Sequence, residues 1–314
     1  MKQEHAARRN LLSIYDLSPD EMLAIIDSAD RFEELSRRSI KKAPALRGKT
    51  VINLFLEPST RTRTSFEIAG KRLSADVINV SDTSSSTKKG ESLKDTVLTL
   101  DVMQADVIVV RHGSSGSAQF VSRYVNASVI NAGDGMHEHP TQALLDCATI
   151  KRNCATIAGL KVAIIGDIAH SRVARSNIGA LTRLGAEVHV AGPLTLMPAD
   201  VASLGVRHHL RVEHALEGAD VVMVLRLQKE RQESGLIPNL REYARHFGVN
   251  RNRIALAKPS AIVMHPGPMN RGVEIEPEVA DGDQSVIKQQ VEMGVAVRMA
   301  LLYWIMNASD PLTN

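Results

Sequence analysis

The chain has 314 residues, more than one hydrophobic core usually organises, so we expect two domains. Its net charge of +3 is too mild to indicate a nucleic-acid-binding protein. We find no apolar run that could span a membrane and no signal peptide. The two cysteines, Cys147 and Cys154, offer neither a disulfide framework nor a metal-ligand spacing, which predicts a cytoplasmic protein. Because they lie seven residues apart, we expect both to face the core from one helix.

A capping box marks the start of the first predicted helix. Ser18 can accept a hydrogen bond from the amide of Glu21, and the Glu21 side chain can accept one from the Ser18 amide. Pro19 suits the first helical position, where a missing N–H breaks no helical bond.

Residues 51–71 (VINLFLEPSTRTRTSFEIAGK) predict a buried strand that leads into a helix. Ser59 and Thr60 are residue types that cap helix N-termini. A strand that ends at a helix N-terminus forms an anion site, because free N–H groups and the helix dipole point outward together. Arg61 can bind two oxygens of a phosphate with charge assistance. On the pattern alone, a solvated helix start with a surface arginine is an equally good interpretation.

A second predicted strand, at residues 77–80, is followed by the hydroxyl-rich segment 81–91 (SDTSSSTKKGE). This segment has no hydrophobic periodicity and carries Lys88 and Lys89, so it predicts a loop. Ligands of α/β proteins bind beyond the carboxyl ends of the strands. A functional loop and a merely solvated loop are therefore both open.

Charged and amide side chains also follow the third and fourth predicted strands. Arg111 comes just past the end of the third strand, and His139 and Gln142 lie at the start of a predicted helix, residues 141–154. We expect this helix to bridge two domains. The run at 137–139 (HEH) lacks the H-E-x-x-H spacing, and no second cluster completes a zinc shell, so we expect no metal site.

The second half opens with a β–α–β pattern: a strand at residues 160–165, the turn GDIAHSR, and a helix. Dinucleotide-binding domains have this pattern, but the G-x-G-x-x-G fingerprint is absent and no acid follows the next strand. Without those glycines a pyrophosphate cannot approach the backbone, so an NAD-dependent dehydrogenase is disfavoured. Arg172 in the turn indicates a different anionic ligand.

Two further strand ends carry candidate ligand groups. The strand at residues 220–225 leads into RLQKER at 226–231, for which a salt-bridged helix start is the alternative. The last strand, residues 261–264, leads into HPGPMNRG at 265–272. The two prolines constrain this turn and donate no N–H, so carbonyl groups there can face a ligand. A long helix follows at residues 285–306.

Seven or eight strands thus alternate with helices in two halves, which predicts an α/β fold of two parallel-sheet domains side by side. No strand end carries a strong nucleophile or an acid paired for proton transfer. We therefore expect a ligand with several negative charges, and catalysis by positioning and electrostatic stabilisation. The candidate groups at the strand ends are Arg61, Thr62, Lys89, Arg111, His139, Gln142, Arg172, Arg226 and Gln228.

Four stretches resemble a known family: residues 55–67 (FLEPSTRTRTSFE), 139–146 (HPTQALLD), 226–231 (RLQKER) and 264–272 (MHPGPMNRG). They resemble the aspartate carbamoyltransferases, and the resemblance covers almost the whole chain. S-T-R-T-R and H-P-x-Q are similar in the ornithine carbamoyltransferases, so these two motifs indicate only an enzyme that uses carbamoyl phosphate.

The motifs for the second substrate separate the two branches. Ornithine enzymes look like H-C-L-P where this chain has H-P-G-P, whereas RLQKER and the two-lysine loop resemble the aspartate branch. Charge agrees, because the two carboxylates of aspartate suit Arg172, Arg226 and Lys89, which would repel the distal cation of ornithine. An ornithine carbamoyltransferase-like enzyme and a non-catalytic phosphate-binding assembly subunit are the alternatives.

The resemblance implies transfer of the carbamoyl group from carbamoyl phosphate to L-aspartate, giving N-carbamoyl-L-aspartate and phosphate in pyrimidine (UMP) biosynthesis. It implies a carbamoyl-phosphate-binding domain at residues 1–148, completed by a C-terminal helix at 288–307. An aspartate-binding domain at 149–287 follows, with the active site in the cleft between the two. No metal, other cofactor or covalent intermediate is needed.

The resemblance also implies roles for individual residues. Carbamoyl phosphate is bound by Ser59, Thr60, Arg61, Thr62, Arg111, His139, Gln142, Gly267 and Pro268. The catalytic residues among them are Arg61, Thr62, Arg111 and His139. Aspartate is bound by Lys89, Arg172, Arg226 and Gln228.

The resemblance further implies a homotrimer in which the loop holding Ser85 and Lys89 reaches into the neighbouring subunit's site. Members with H-P-G-P-M-N-R-G are often found without a regulatory chain, and some pair with a dihydroorotase-like protein, so the further partner stays open. Some members have Leu where this chain has Gly267. The backbone carbonyl is retained there, but we expect a less rigid turn.

Overall fold

A computed structural model describes residues 9–81, 91–227 and 235–307 of the protein. Within these ranges it has nine β-strands and eleven α-helices. None of the described helices combines the length and the apolar character that a membrane crossing requires.

The chain divides into two compact units. The first unit is Met1–Leu144 with Glu292–Asn314, and the second unit is Leu145–Val291. The chain passes from one unit to the other twice, each time within a helix. These helices are α5 (Pro140–Cys154) and α11 (Ile287–Met306).

The first unit is built on a four-stranded parallel sheet in the order β2-β1-β3-β4. The strands are β1 Thr50–Phe55, β2 Asp76–Ser81, β3 Val107–His112 and β4 Ser128–Asp134. The helices that lie entirely in this unit are α1 Pro19–Arg37, α2 Thr60–Arg72, α3 Leu93–Val102 and α4 Ser117–Ser122. The alternation of strand and helix produces parallel pairing, because each helix returns the chain to the same end of the sheet.

Apolar residues at alternate positions of the central strands form the core of this unit. Ile52 of β1 and Ile108 of β3 are buried with Val97 of α3 in one cluster. The C-terminal helix also packs here, since the Arg298 guanidinium lies 5.1 Å from the centre of the Phe66 ring on α2.

The second unit has a five-stranded parallel sheet in the order β7-β6-β5-β8-β9. Its strands are β5 Lys161–Ile165, β6 Glu187–Ala191, β7 Arg207–His209, β8 Val221–Val224 and β9 Ile262–Met264. Its helices are α6 Arg172–Arg183, α7 Val212–Leu216, α8 Leu240–Phe247, α9 Arg251–Ile254 and α10 Pro277–Ala280. The core joins β5 and β8 to α7 through buried residues such as Ile165, Val224 and Leu216.

Most predicted elements are confirmed, and three details are corrected. The capping box at Ser18 is present, with both reciprocal hydrogen bonds formed. Strand β7 was missed, because its three residues carry no apolar alternation. Arg111 lies within β3 rather than past its end. Of the two cysteines only Cys147 is fully buried, because Cys154 is the last residue of α5 and is partly exposed.

Candidate active site

The N-terminus of α2 lies at the carboxyl end of β1, as predicted. Ser59 occupies the N-cap position, but within the described residues its side chain makes no capping hydrogen bond. The first-turn amides therefore do not bond to the usual capping oxygen, which suits a helix start that receives an external anion. Arg61 is exposed in this turn and the next residue, Thr62, is buried.

Arg111 is placed beside that helix start by strand pairing. It lies opposite Phe55 in the β1–β3 register, and its carbonyl accepts a hydrogen bond of 2.9 Å from the Leu56 amide. Its guanidinium donates to the Ala132 carbonyl at 3.3 Å and lies 3.7 Å from the Glu57 carboxylate. The side chain is only 12% exposed, so its direction is set by these contacts on both sides.

His139 and Gln142 are held at the start of α5. The His139 carbonyl accepts hydrogen bonds from the amides of Gln142, at 2.9 Å, and Ala143, at 3.3 Å. The His139 ring is buried, with its Nδ1 3.4 Å from the Thr141 hydroxyl. Because α5 follows β4, which is the neighbour of β3, these side chains belong to the same sheet edge as Arg111.

Two buried acids that the sequence analysis did not single out shape the loop before His139. Asp134 accepts hydrogen bonds from the Gly116 amide at 2.7 Å, the Asn131 amide group at 2.9 Å and the Glu138 amide at 3.0 Å. Glu138 accepts bonds from the N-terminal segment, including one of 2.9 Å from the Ile14 amide. An acid between two glycines in GDG, directly before a histidine-rich run, is the signal that could have revealed Asp134.

The hydrogen bonds to Asp134 also control its ionisation. Burial pushes the pKa of this carboxyl upward, but the bonds from His137, Asn131 and the Gly116 amide together outweigh burial. The pKa is therefore below its ordinary value, and Asp134 stays a charged acceptor near neutral pH.

In the second unit, Arg172 is the first residue of α6, after the turn that follows β5. Ser171 caps this helix by accepting a 3.2 Å hydrogen bond from the Ala174 amide. Arg172 is 4% exposed although it lies at the positive end of the helix dipole, a costly place for a cation. In the same turn, Asp167 accepts a 3.0 Å bond from the His170 amide and is fully buried.

Arg226 reaches the same sheet edge as Arg172. It follows β8, which pairs directly with β5, with Val224 opposite Ile165. Leu225 extends this contact by donating its amide to the Ile165 carbonyl at 2.8 Å. The sequence analysis placed each of these cations beyond a strand end, and the structure adds that the two strands are adjacent. Gln228 lies outside the described residues, as do Ser85 and Lys89.

The ends of β5 and β6 approach one another closely. A methyl group on Gly192 would lie 2.1 Å from the Gly166 carbonyl oxygen, so only glycine fits there. Gly192 therefore allows two backbone segments of the protein to come close to each other. It is not part of a dinucleotide fingerprint, which the sequence lacks.

The turn after β9 contains Gly267, whose φ of +63° is a conformation that glycine adopts without strain. The peptide between Gly267 and Pro268 is cis. The Gly267 amide donates a 2.8 Å hydrogen bond to Nδ1 of His265, so the backbone is held at this point although the turn has no side chain there.

The candidate residues thus form two sets, one at the sheet edge of each unit. The first set is rich in hydrogen-bond donors, with two guanidiniums, an imidazole and helix-start amides. The second set pairs two guanidiniums with the carbonyl-rich turn after β9. Within the part of the chain that the structure describes, no group of three or more His, Cys, Asp and Glu side chains could hold a metal ion.

Family models and relatives agree on what these units are. Residues 9–152 match the model for the aspartate/ornithine carbamoyltransferase carbamoyl-P binding domain, and residues 158–305 match the model for the Asp/Orn binding domain. The aspartate carbamoyltransferase catalytic subunit of Sorangium cellulosum is 62% identical over 96% of this chain and 93% of its own length. That of Gluconobacter oxydans is 58% identical over 99% of this chain and its full length.

Solved structures of both branches share the fold. Aspartate transcarbamoylase from Trypanosoma cruzi in complex with N-(phosphonacetyl)-L-aspartic acid has a TM-score of 0.86 and 32% identity, covering 95% of this chain and 96% of that one. Ornithine carbamoyltransferase from Pyrococcus furiosus has a TM-score of 0.85 and 30% identity, covering 97% and 99%. The two domain models and the near-full-length relatives show that the chain belongs to the aspartate/ornithine carbamoyltransferase family.

Proposed function

We propose that this chain is an aspartate carbamoyltransferase. It transfers the carbamoyl group of carbamoyl phosphate to the amino group of L-aspartate, giving N-carbamoyl-L-aspartate and phosphate for pyrimidine biosynthesis. The observation that carries this proposal is the near-full-length identity of 54–62% to relatives named aspartate carbamoyltransferase catalytic subunit. The cations at both sheet edges support it, because each substrate is an anion.

The two units divide the substrates. Residues 1–148, completed by the helix at 288–307, bind carbamoyl phosphate, and residues 149–287 bind aspartate. The names of the two matching domain models support this division. The location of Arg61 and Arg111 at one sheet edge, and of Arg172 and Arg226 at the other, is consistent with it.

Catalysis on the carbamoyl phosphate side is electrostatic. Arg61 and the first-turn amides of α2 bind the phosphate, as charge-assisted donors do. Thr62, Arg111 and His139 donate to the carbonyl oxygen, where negative charge grows as the tetrahedral transition state forms. Each such donor contributes about 3–4 kcal/mol when it is preorganised, and the contacts that hold Arg111 and His139 provide that preorganisation. Ser59 and Thr60 supply backbone contacts to the phosphate.

Gln142 and the carbonyl groups of Pro266 and Gly267 hold the carbamoyl NH2 group. An amide oxygen and two backbone carbonyls are acceptors, so together they suit a group that only donates. This arrangement orients the carbonyl carbon for attack.

Aspartate is bound through its carboxylates by Arg172, Arg226, Gln228 and Lys89. Its neutral amine attacks the carbonyl carbon, the bond to the phosphate oxygen breaks, and phosphate leaves with the bonding electron pair. One amine proton passes to the leaving phosphate in the same process, and no covalent bond to the protein forms. Positioning two anions against fixed cations supplies the main part of the rate gain.

A product assay tests this function directly. We expect purified chain, incubated with carbamoyl phosphate and either aspartate or ornithine, to yield carbamoyl-aspartate and phosphate in equal amounts and no citrulline. Mass spectrometry identifies the product. Citrulline would instead show an ornithine enzyme, and no product from properly folded chain would show a non-catalytic subunit.

The cytoplasmic homotrimer is part of the same proposal, with Ser85 and Lys89 contributed by the neighbouring chain. We expect inactive Lys89→Ala chains, denatured and renatured together with inactive Arg61→Ala chains, to recover activity. Each mixed trimer then contains one site in which both residues are intact. Each variant renatured alone is the control. Mixed trimers that stay inactive would contradict a shared site.

A further inference from the structure

The turn after β9 is held by a chain of buried and partly buried hydrogen bonds that lies entirely within the second unit. Gly267 donates its amide to Nδ1 of His265 at 2.8 Å, and Nε2 of the same ring lies 3.3 Å from a carboxylate oxygen of Glu274. That oxygen also accepts a 2.5 Å bond from the Asn270 amide. One carboxylate therefore contacts both sides of the turn.

These contacts determine which nitrogen of the His265 ring carries the proton. Because Nδ1 accepts a hydrogen bond from a backbone amide, it carries no proton. The proton of the neutral ring is consequently on Nε2, where it is donated to Glu274. If Nδ1 carried a proton, its N–H would face the N–H of Gly267. Two donors cannot bond to each other, so the hydrogen bond between them would be lost.

Both His265 and Glu274 are buried, so water has little access to replace them as hydrogen-bond partners of the turn. His265 is 2% exposed and Glu274 is fully buried. The backbone amide of His265 is held in addition by the Gln290 side chain at 3.1 Å. The Gln290 amide group donates to Asp146 at 2.6 Å, and Asp146 also accepts a 2.8 Å bond from Asn177.

The only backbone donors between residues 266 and 270 are the amides of Gly267, Met269 and Asn270, since the other two residues are prolines. Two of these three amides are bonded to the His265–Glu274 pair. The orientation of an amide determines the orientation of the carbonyl in the same peptide plane. Holding the Gly267 amide therefore fixes the Pro266 carbonyl.

We propose that His265 and Glu274 are positioning residues, which hold the Pro266 carbonyl in the direction needed to accept a hydrogen bond from the carbamoyl NH2 group. Neither residue contacts substrate. The proposal rests on the proposed function for its substrate, but the hydrogen-bond chain itself can be tested without activity.

Substitutions at Glu274 separate the acceptor from the charge. Glu274→Gln retains an oxygen acceptor, and we expect kcat/KM for carbamoyl phosphate within about threefold of the wild type. Glu274→Met has a similar volume but no such acceptor, and we expect a fall of about 10²-fold, as small displacements of positioning groups produce. The KM for aspartate should change little in both variants.

Substitutions at His265 separate the two ring nitrogens. The oxygen of Asn can replace Nδ1 as acceptor for the Gly267 amide, whereas the amide nitrogen of Gln can replace Nε2 as donor to Glu274. Since the bond to Gly267 is the one that orients the turn, we expect His265→Asn to retain about tenfold more activity than His265→Gln.

Hydrogen–deuterium exchange of a peptide covering residues 264–270 provides the readout that does not depend on catalysis. We expect its protected amides to exchange at least about tenfold faster in Glu274→Met than in the wild type. Asp281→Asn, which removes only the exposed ion pair with Arg271, is the control and should leave exchange and activity unchanged.

The outcomes are distinct. Faster exchange in this peptide together with a selective loss in kcat/KM for carbamoyl phosphate supports the proposal. Glu274→Met that melts at a lower temperature, yet retains wild-type exchange here and wild-type kinetics, would show a merely structural role and overturn it. If the wild-type chain makes no carbamoyl-aspartate, the proposed function fails, and unchanged exchange in Glu274→Met would overturn the positioning role separately.

Discussion

Replacing Arg61 with Ala is expected to lower kcat for carbamoyl-aspartate formation about 10³-fold, because the variant loses a charge that stabilises the phosphate as it leaves. Arg61 lies in the first turn of α2, and in the proposed site its guanidinium binds the phosphate together with the helix-start amides. Arg61→Lys keeps the charge but not the paired N–H groups, so we expect an intermediate rate. Steady-state kinetics with both substrates varied provide the measurement.

The fold should not change in this variant. Arg61 is exposed, and exposed substitutions usually change the free energy of unfolding by less than about 0.5 kcal/mol. Ala is also the best helix former. Lys71→Ala, in the last turn of the same helix, is the matched control, since it removes a cation that pairs only on the surface with Glu67. Equal kinetics of the Arg61→Ala and Lys71→Ala variants would remove Arg61 from the site.

Replacing Arg226 with Met is expected to raise the KM for aspartate at least about 10²-fold and to leave the KM for carbamoyl phosphate nearly unchanged. Hydrogen bonds to a charged partner contribute about 1.5–3 kcal/mol each, and a guanidinium can form two with one carboxylate. Met has a similar length and apolar volume, so the packing below the guanidinium is kept. Initial rates at saturating carbamoyl phosphate measure the effect.

The matched control for this change lies in the same unit. Arg207→Met removes an exposed cation of β7 that pairs with Glu187 at 2.7 Å, and its kinetics should equal those of the wild type. If Arg226→Met raised the KM for both substrates equally, the residue would have a general role in the folded structure instead of binding aspartate.

Agreement between the predicted and observed strands has a simple physical basis. Residues 51–56 and 160–165 are apolar runs of a length suited to a buried parallel strand, and such runs are visible without a structure. Strand β7, Arg207–His209, lies at the sheet edge with two histidines and an arginine, so no hydrophobic signal marks it. Its place in the sheet is defined by parallel pairing with β6, with His189 opposite Arg207 and Ala191 opposite His209.

The choice between aspartate and ornithine came from local chemistry. The fold is equally similar to a solved aspartate enzyme, at a TM-score of 0.86, and to a solved ornithine enzyme, at 0.85. Backbone shape therefore cannot separate the two substrates. The charges can separate them. Cations at Arg172, Arg226 and the residues after Arg226 attract a carboxylate and repel an ammonium group.

By itself, the sequence determined the fold class, the family resemblance and most of the candidate residues at the sheet edge of each unit. Apolar periodicity, turn residues and charge at strand ends are local properties, so they can be read without a structure. Only the tertiary structure decided that Phe55 lies opposite Arg111, and that Glu274 holds the ring of His265, which in turn holds the amide of Gly267. It also decided that Glu138 is bonded to Ile14, across 124 positions of the chain. Strand order and buried polar partners depend on packing between distant segments, so the role of a buried acid such as Glu274 is recognisable only once its donors surround it.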